Sequence, residues 1–272
     1  MVNFSLNHMV APRLAHAAFF DLTRRLGLDR VEIRNDLKGV ALLDGTPATE
    51  VGAAAKARGL RILSINALQR FNLWDDSRAA EAASLVAQAV GSGAEALVLC
   101  PVNDVNCRPS PTQRREALRK ALSGLKPILT AAGILGLVEP LGFAECSLRT
   151  KEEAVDAIDA IGGARAFRLV HDTFHHFVAG ETKMFPGHTG LVHISGVTDA
   201  SATAATMRDP HRVLVDAGDG IGNITQLRAL RAGGYRGAIS FEPFAASVHD
   251  SPTIEADLTA SLAYVKAGLE QS

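Results

Sequence analysis

The sequence predicts a (β/α)8 TIM barrel that forms a single domain over residues 1–272. Eight short apolar runs alternate with segments whose apolar residues recur at helical spacing. Strands that alternate with helices form parallel sheets, and a closed barrel of eight such units typically takes about 250 residues. No stretch of the sequence has the composition of a linker or a repeat, so one barrel fills the length better than two smaller domains.

The first four strands are expected where short apolar runs follow a turn. These strands cover residues 3–7, 30–34, 61–66 and 96–100, and the helices after them cover residues 15–26, 49–58, 77–90 and 112–132. Gly59 and Gly133 follow the second and fourth of these helices, where glycine readily takes the left-handed conformation that ends a helix. Pro101 directly follows the fourth strand and cannot extend its hydrogen bonding.

The last four strands are each predicted to end in a residue that can bind a metal ion. These residues are Glu139, Asp172, His193 and Glu242. Further helices are expected over residues 151–161 and 254–270. The irregular segment 195–222 follows the seventh strand. It is either a mobile lid over the mouth of the barrel or an ordinary surface loop, and the sequence does not decide between the two.

The composition is that of an ordinary globular protein. Hydrophobic residues make up 47% of the chain and charged residues 21%, and the net charge of −1 gives no broad basic surface for nucleic acid or anionic membranes. No apolar run approaches the roughly 18 residues of a membrane-spanning helix, and no basic leader precedes an apolar core. The cysteines lack zinc-site spacing, and their odd number suits a reducing compartment. We therefore expect a cytoplasmic protein without nucleic-acid or membrane partners, and a homo-oligomer remains open.

The four strand-end residues predict one metal site. In parallel barrels the carboxyl ends of the strands meet at one mouth, where the chemistry of the fold takes place. A single glutamate at such a position could equally be held in an ion pair, but four ligand types on four successive strands form a stronger pattern. Three carboxylates and one imidazole suit a divalent cation, and Mn²⁺, Co²⁺ and Mg²⁺ fit this set as well as Zn²⁺.

Two of these ligands also suggest proton transfer. Glu139 and Glu242 are each followed by proline, and they lie on strands five and eight, from which they could face each other across the metal. A metal that binds a carbonyl and the adjacent hydroxyl acidifies the carbon-bound proton between them. One carboxylate can remove that proton and another can return it. This is the chemistry of an aldose–ketose isomerase or an epimerase that acts through a metal-bound enediolate.

Residues 172–175 read Asp-Thr-Phe-His. This stretch resembles the Asp-Thr/Ser-Phe-His motif of the xylose isomerase-like barrel superfamily, which includes ketose 3-epimerases, hydroxypyruvate isomerases and inosose isomerases. Within it, the sequence is most similar to the inosose isomerases (2-keto-myo-inositol isomerases). The matching stretches are spread over nearly the whole chain and include residues 31–34, 66–68, 212–213 and 240–244.

The resemblance implies roles for individual residues. The metal ligands of the family correspond to Glu139, Asp172, His193 and Glu242, and the acid/base pair of the related epimerases corresponds to Glu139 and Glu242. His175, Glu145 and Arg212 correspond to residues near the substrate. Asn66, at the end of the third strand, is a further candidate substrate contact from its position alone, and His8 and Glu32, at the first and second strands, either contact substrate or have only a structural role. The implied partner is a small polyol or sugar, and the implied cofactor is one divalent ion (Mn, Zn, Co or Mg).

One departure from the family favours a particular branch. The epimerases carry an arginine shortly after the metal-binding histidine, whereas residues 194–199 here contain none. This favours an inosose isomerase over a ketose 3-epimerase, although the latter and a hydroxypyruvate isomerase remain alternatives. A metal-dependent nuclease of the endonuclease IV type shares the barrel, but its late Asp-x-His ligand pair is missing here. A binding protein on the same scaffold is a further alternative, against which the full ligand set argues.

Overall fold

Eight parallel strands close into a barrel whose order follows the chain, with the first strand paired to the eighth. The computed structural model describes residues 2–107 and 109–270. Residues 1, 108, 271 and 272 of the predicted domain lie outside this described part. The closed parallel barrel confirms the predicted (β/α)8 fold class. Among the described residues, no helix is both long enough and apolar enough to cross a bilayer.

The strands and helices alternate as the sequence predicts. The strands are β1 (Asn3–Asn7), β2 (Arg30–Arg34), β3 (Arg61–Gln69), β4 (Ala96–Cys100), β5 (Leu135–Val138), β6 (Phe167–Asp172), β7 (Thr189–Ile194) and β8 (Ala238–Phe241). The helices are α1 (His16–Arg25), α2 (Ala48–Ala57), α3 (Asp76–Ser92), α4 (Pro111–Ala132), α5 (Lys151–Ala160), α6 (Thr173–Ala179), α7 (Asn223–Ala232), α8 (Ala246–His249) and α9 (Ile254–Glu270).

Helix ends follow the local sequence. Asp75 and Ser110 precede α3 and α4, and each side chain accepts a hydrogen bond from a backbone N–H of the first turn. Gly93 and Gly133 end the same two helices in the left-handed conformation, with φ of 71° and 68°. These caps satisfy backbone groups that the helices leave unpaired, so the helix boundaries are set by nearby residues.

The chain forms a helix, α6, where the sequence suggested only a turn. The side chain of Asp172 accepts a hydrogen bond from the backbone N–H of His175 at 2.9 Å and so caps the first turn of α6. Gly180 ends the helix in the left-handed conformation. His175 therefore lies on a short helix that the strand-end aspartate itself starts.

The interior of the barrel is polar at the mouth and apolar in the layer below it. Residues on alternate positions of a strand point to the same face of a sheet. Leu137, Val170 and Leu191 belong to a buried apolar cluster made of strand residues alone. They lie two positions before three of the predicted metal ligands. The ligands therefore point into the barrel, directly above this apolar layer, while a larger cluster packs the helices against the outer face of the strands.

The irregular segment 195–222 is packed over part of its length. Gly196 and Val213 form an antiparallel bridge, with N–O distances of 2.8 and 2.9 Å. Val197, Met207 and Ile221 are buried in an apolar cluster with the side chain of Phe174. Most of the exposed residues between these anchors lie in 198–206. A lid, which stays a prediction, would be confined to that stretch.

Candidate active site and metal centre

The four predicted metal ligands converge at the mouth of the barrel. Each of the residues Glu139, Asp172, His193 and Glu242 offers one ligand atom, and these four atoms all lie within 4.8 Å of one another. All four side chains are buried. Asp172 and His193 lie in β6 and β7, and the two glutamates directly follow β5 and β8. The register pairs Asp172 with His193 across neighbouring strands, which holds these two ligands side by side.

The imidazole of His193 is surrounded by carboxylates. Its Nδ1 lies 2.9 Å from Oε1 of Glu139 and 3.1 Å from Oε2 of Glu242. Its Nε2 lies 3.1 Å from the carboxylate of Glu32 on β2. Burial alone would lower the pKa of His193, but the charges of Glu242, Glu32 and Glu139 raise it well above its usual value. The site therefore favours a positive charge at its centre.

Glu242 is held by two buried arginines. Its Oε1 accepts hydrogen bonds from Arg34 at 2.9 Å and from Asn7 at 3.1 Å, and its Oε2 accepts one from Arg212 at 3.1 Å. Burial alone would raise the pKa of Glu242, but His193, Arg212 and Arg34 lower it well below its usual range. This carboxylate therefore stays ionised.

Arg212 links two of the predicted ligands. It donates to Oδ2 of Asp172 at 2.6 Å as well as to Glu242. Its guanidinium carbon lies 4.4 Å from the ring centroid of Phe244 and 5.1 Å from that of Phe174. An arginine between two rings and two carboxylates has little freedom to move. It fixes the positions of both carboxylates from the side of the pocket.

Glu139 has weaker partners than Glu242. Its Oε2 lies 3.5 Å from the thiol sulfur of Cys100, and its Oε1 faces His193. Burial raises the pKa of Cys100 well above its usual value, and the charge of Glu139 raises it further, so this thiol stays protonated as a weak donor. Among the described residues, no arginine or lysine forms a salt bridge with this glutamate, and the charge of Arg212 acts on it only through space. The two glutamates of the site are therefore chemically different.

The donor set fits a divalent cation. Four buried carboxylates (Glu32, Glu139, Asp172 and Glu242) face two buried arginines, Arg34 and Arg212. With a neutral imidazole, two negative charges remain in the cluster, and a divalent cation would balance them. Aspartate, glutamate and the imidazole nitrogen are ordinary ligands of zinc and of harder divalent ions. The spread of up to 4.8 Å between ligand atoms is compatible with one shared ion.

A cavity of about 280 Å³ opens above this cluster. Three of the predicted substrate contacts line it: Asn66, His175 and Arg212. The fourth, Glu145, lies beside a separate cavity, with a carboxylate oxygen 4.0 Å from Arg208. The structure thus brings three of these residues to the cluster and leaves Glu145 aside, and all four roles stay predictions. The volume suits a ligand of monosaccharide size better than a larger one.

Several residues of the site were absent from the sequence prediction. Arg34, Cys100 and Phe244 line the cavity or hold the ligands. Glu32, a candidate substrate contact by position, instead lies against Nε2 of His193. Glu32 and Arg34 occupy alternate positions of β2, so their side chains point to the same face of the sheet, which here is the inside of the barrel. That spacing was a signal in the sequence. The contact between Cys100 and Glu139 joins neighbouring strands and had no comparable signal.

Comparison with known protein families identifies the family of this chain. The family described as xylose isomerase-like TIM barrel matches residues 20–267. The chain belongs to this family. The match covers most of the barrel and all four residues of the metal cluster. The family predicted from the sequence is thereby confirmed.

Solved structures agree with this assignment. A xylose isomerase domain-containing protein from Salmonella typhimurium LT2 is 34% identical to this chain, with a TM-score of 0.88 over 99% of this chain and 98% of that one. The IolI protein with a bound zinc atom is 18% identical, with a TM-score of 0.88 over 99% of both chains.

A D-psicose 3-epimerase from Clostridium cellulolyticum H10, solved with D-tagatose, is 14% identical, with a TM-score of 0.76 over 98% of this chain and 99% of that one. At these low identities, the last two structures show a shared fold. A comparison with curated protein sequences found no match.

Proposed function

We propose that this protein is a divalent-metal-dependent isomerase of a keto-inositol or a related polyol ketone. The observation that carries the proposal is the arrangement of Glu139 and Glu242 around Nδ1 of His193, at 2.9 and 3.1 Å, where both glutamates also line the cavity. The ion would be held by these three residues and by Asp172. Zinc in the IolI protein and the sugar in the epimerase structure support a metal and a polyol as the ligands here.

The reaction would move protons within an α-hydroxyketone. A divalent cation, when bound, would polarise the ketone and its neighbouring hydroxyl and so acidify the proton on the carbon between them. Glu139 takes that proton from the hydroxyl-bearing carbon and returns it to the former carbonyl carbon. The hydroxyl proton moves to the other oxygen, so the product is the isomeric hydroxyketone and no atom is gained or lost.

The unequal partners of the two glutamates favour an isomerase over an epimerase. Transfer between adjacent carbons on one face of the substrate needs a single carboxylate, whereas inversion at one carbon needs a base and an acid on opposite faces. Arg34 and Arg212 each donate a hydrogen bond to one oxygen of Glu242, so this carboxylate stays ionised and fixed in position. Among the described residues, Glu139 has only a thiol and an imidazole as hydrogen-bond partners, so its carboxylate is the one left to take and return a proton.

A substrate panel with metal-free and metal-restored protein tests the proposal. We expect turnover of 2-keto-myo-inositol only after a divalent ion is restored, with little turnover of fructose or hydroxypyruvate. Conversion of fructose to its C3 epimer would instead identify a ketose 3-epimerase. Turnover by the metal-free protein at the same rate would contradict the metal-dependent mechanism.

Two matched variants test the division of roles. Glu139→Gln and Glu242→Gln each remove one carboxylate charge at the same cluster, and the metal content of each is measured first. At equal metal content, we expect Glu139→Gln to lose at least about 100-fold in kcat, in the range that general acid–base catalysis supplies, and Glu242→Gln to lose less. A larger loss in Glu242→Gln would assign the proton transfer to that residue instead.

A cytoplasmic location and association into a homo-oligomer remain predictions.

A further inference from the structure

Glu32 contacts the metal-binding histidine from the side away from the cavity. Its carboxylate oxygens each lie 3.1 Å from Nε2 of His193. Both side chains are fully buried, with an exposed fraction of 0%. The residues that line the cavity do not include Glu32. It therefore does not contact a substrate in the cavity directly, and its contact with the metal cluster is made through His193.

Each oxygen of Glu32 has a distinct environment. Oε2 accepts hydrogen bonds from Oγ of Ser64 at 2.6 Å and from Nδ2 of Asn66 at 2.8 Å. Oε1 has no hydrogen-bond partner among the described residues, although it is buried and lies beside Nε2 of His193. Ser64 and Asn66 thus fix the carboxylate through one oxygen. Oε2 is also the oxygen that meets hydrogen-bond geometry with Nε2 of His193, and Oε1 lies at the same distance from that nitrogen.

We propose that Glu32 is a positioning residue that sets the tautomer and the orientation of His193 for metal binding. A proton on Nε2 is held by Glu32, so Nδ1 is the nitrogen that faces Glu139 and Glu242 and is available to the ion. Carboxylates that accept the second ring N–H of a ligating histidine raise its ligand strength, and their loss typically costs about 10- to 100-fold in metal affinity. The inference rests on the metal site of the proposed function and does not depend on its substrate.

The same contacts explain the place of Asn66 in the site. Its amide nitrogen also lies 3.0 Å from Oγ of Ser64, so the amide donor is committed to this buried network. Asn66 lines the cavity as well. A ligand would therefore meet its carbonyl oxygen rather than its amide nitrogen. Asn66, Ser64, Glu32 and His193 form one chain of contacts from the cavity wall to the metal cluster.

The test uses zinc binding to the full chain and needs no turnover. The Kd for Zn²⁺ is measured by competition with a chromophoric chelator for the wild type and for Glu32→Gln, and the ¹⁵N shifts of His193 are recorded with zinc bound. We expect a loss of about 10- to 100-fold in affinity. We also expect the Nε2 resonance to lose the shift of a strongly hydrogen-bonded N–H. A purely structural role would leave that resonance unchanged.

Two further variants make the result decisive. Thr23→Val removes a different buried hydrogen bond, from Thr23 to the carbonyl of Phe19 on α1, and should leave zinc affinity unchanged. Ser64→Ala removes one hydrogen-bond donor to Glu32 and should weaken zinc binding by a few-fold. This variant tests the proposal if Glu32→Gln does not fold. Affinity within twofold of wild type in Glu32→Gln, or in Ser64→Ala if only that variant folds, would overturn the proposal. If the variants bind zinc more weakly as expected but the zinc-loaded wild type turns over no substrate, the proposed function is contradicted and the role of Glu32 stands.

Discussion

Replacement of Glu181 by glutamine tests the buried ionic cluster that supports α6. The carboxylate of Glu181 lies 3.1 Å from Nζ of Lys151 and accepts hydrogen bonds from the backbone N–H groups of Lys151 and Glu152 at the start of α5. Lys151 also lies 3.1 Å from Nδ1 of His171 and 2.5 Å from Nδ1 of His176. His176 is on α6, so this cluster ties α5 to the helix that carries His175.

The expected magnitude follows from the pKa of Glu181. Burial alone would raise this pKa, but His176 and Lys151 lower it from 4.5 to about 2. A carboxylate with a lowered pKa stabilises the fold above its unfolded-state pKa, and the contribution is lost as the pH falls toward its folded-state pKa. The difference between these two pKa values corresponds to about 3.4 kcal/mol, which partial contact with solvent reduces to about 2 kcal/mol.

Urea unfolding at a series of pH values measures this contribution. At pH 7 we expect Glu181→Gln to be less stable than wild type by about 2 kcal/mol, and the difference should shrink by roughly a third to a half at pH 3.5. Glu152→Gln is the matched control, because Glu152 pairs with Lys183 at 2.8 Å on the exposed surface, where solvent screens the pair, and its loss should change stability far less than the loss of Glu181. An equal difference at pH 7 and pH 3.5 would refute the electrostatic explanation.

Two further predictions concern backbone space and metal binding. Gly142→Ala should destabilise the protein by about 1–3 kcal/mol and raise KM, because a Cβ there would lie 2.2 Å from the carbonyl oxygen of His175 and would displace α6. Thermal unfolding checks this against Gly187→Ala, whose Cβ would meet nothing within 4 Å, and similar losses in both variants would contradict it. The raised pKa of His193 means that an ion must displace a proton, so zinc affinity should fall about tenfold for each unit of pH below that pKa. Zinc titrations between pH 5 and 8 measure this slope, and an affinity independent of pH would show that His193 is not a ligand.

The fold was predictable because its signals are local. Short apolar runs recur in each unit, glycines end several of the helices, and metal-ligand residue types end the last four strands. The alternation of strands and helices implies a parallel barrel. The strands β2 (Arg30–Arg34) and β4 (Ala96–Cys100) lie at the bounds that the sequence predicted. The extension of β3 to Gln69 was missed because Asn66 interrupts the apolar run, although Ala67 and Leu68 beyond it are buried and the strand continues past an irregularity in its pairing with β4.

The metal cluster was predictable from the positions of its four ligands at strand ends. The residues that hold these ligands in place were not predictable. The four ligands end successive strands, so the barrel geometry alone brings them together. Arg34 and Cys100 act on Glu242 and Glu139 across the barrel or from a neighbouring strand, and such pairings appear only once the strands are in register. Glu145 shows the opposite case, because a match by motif spacing in a loop did not place the side chain in the cavity.

The central claim is proton transfer next to a ketone in a metal-loaded barrel. Incubation of the zinc- or manganese-loaded protein with 2-keto-myo-inositol in D₂O, followed by NMR, measures it directly. We predict that deuterium enters the carbon next to the keto group while a new isomer appears, and that Glu139→Gln abolishes both changes. No incorporation of deuterium and no new isomer, with one metal ion bound per chain, would contradict the claim while leaving the metal site intact.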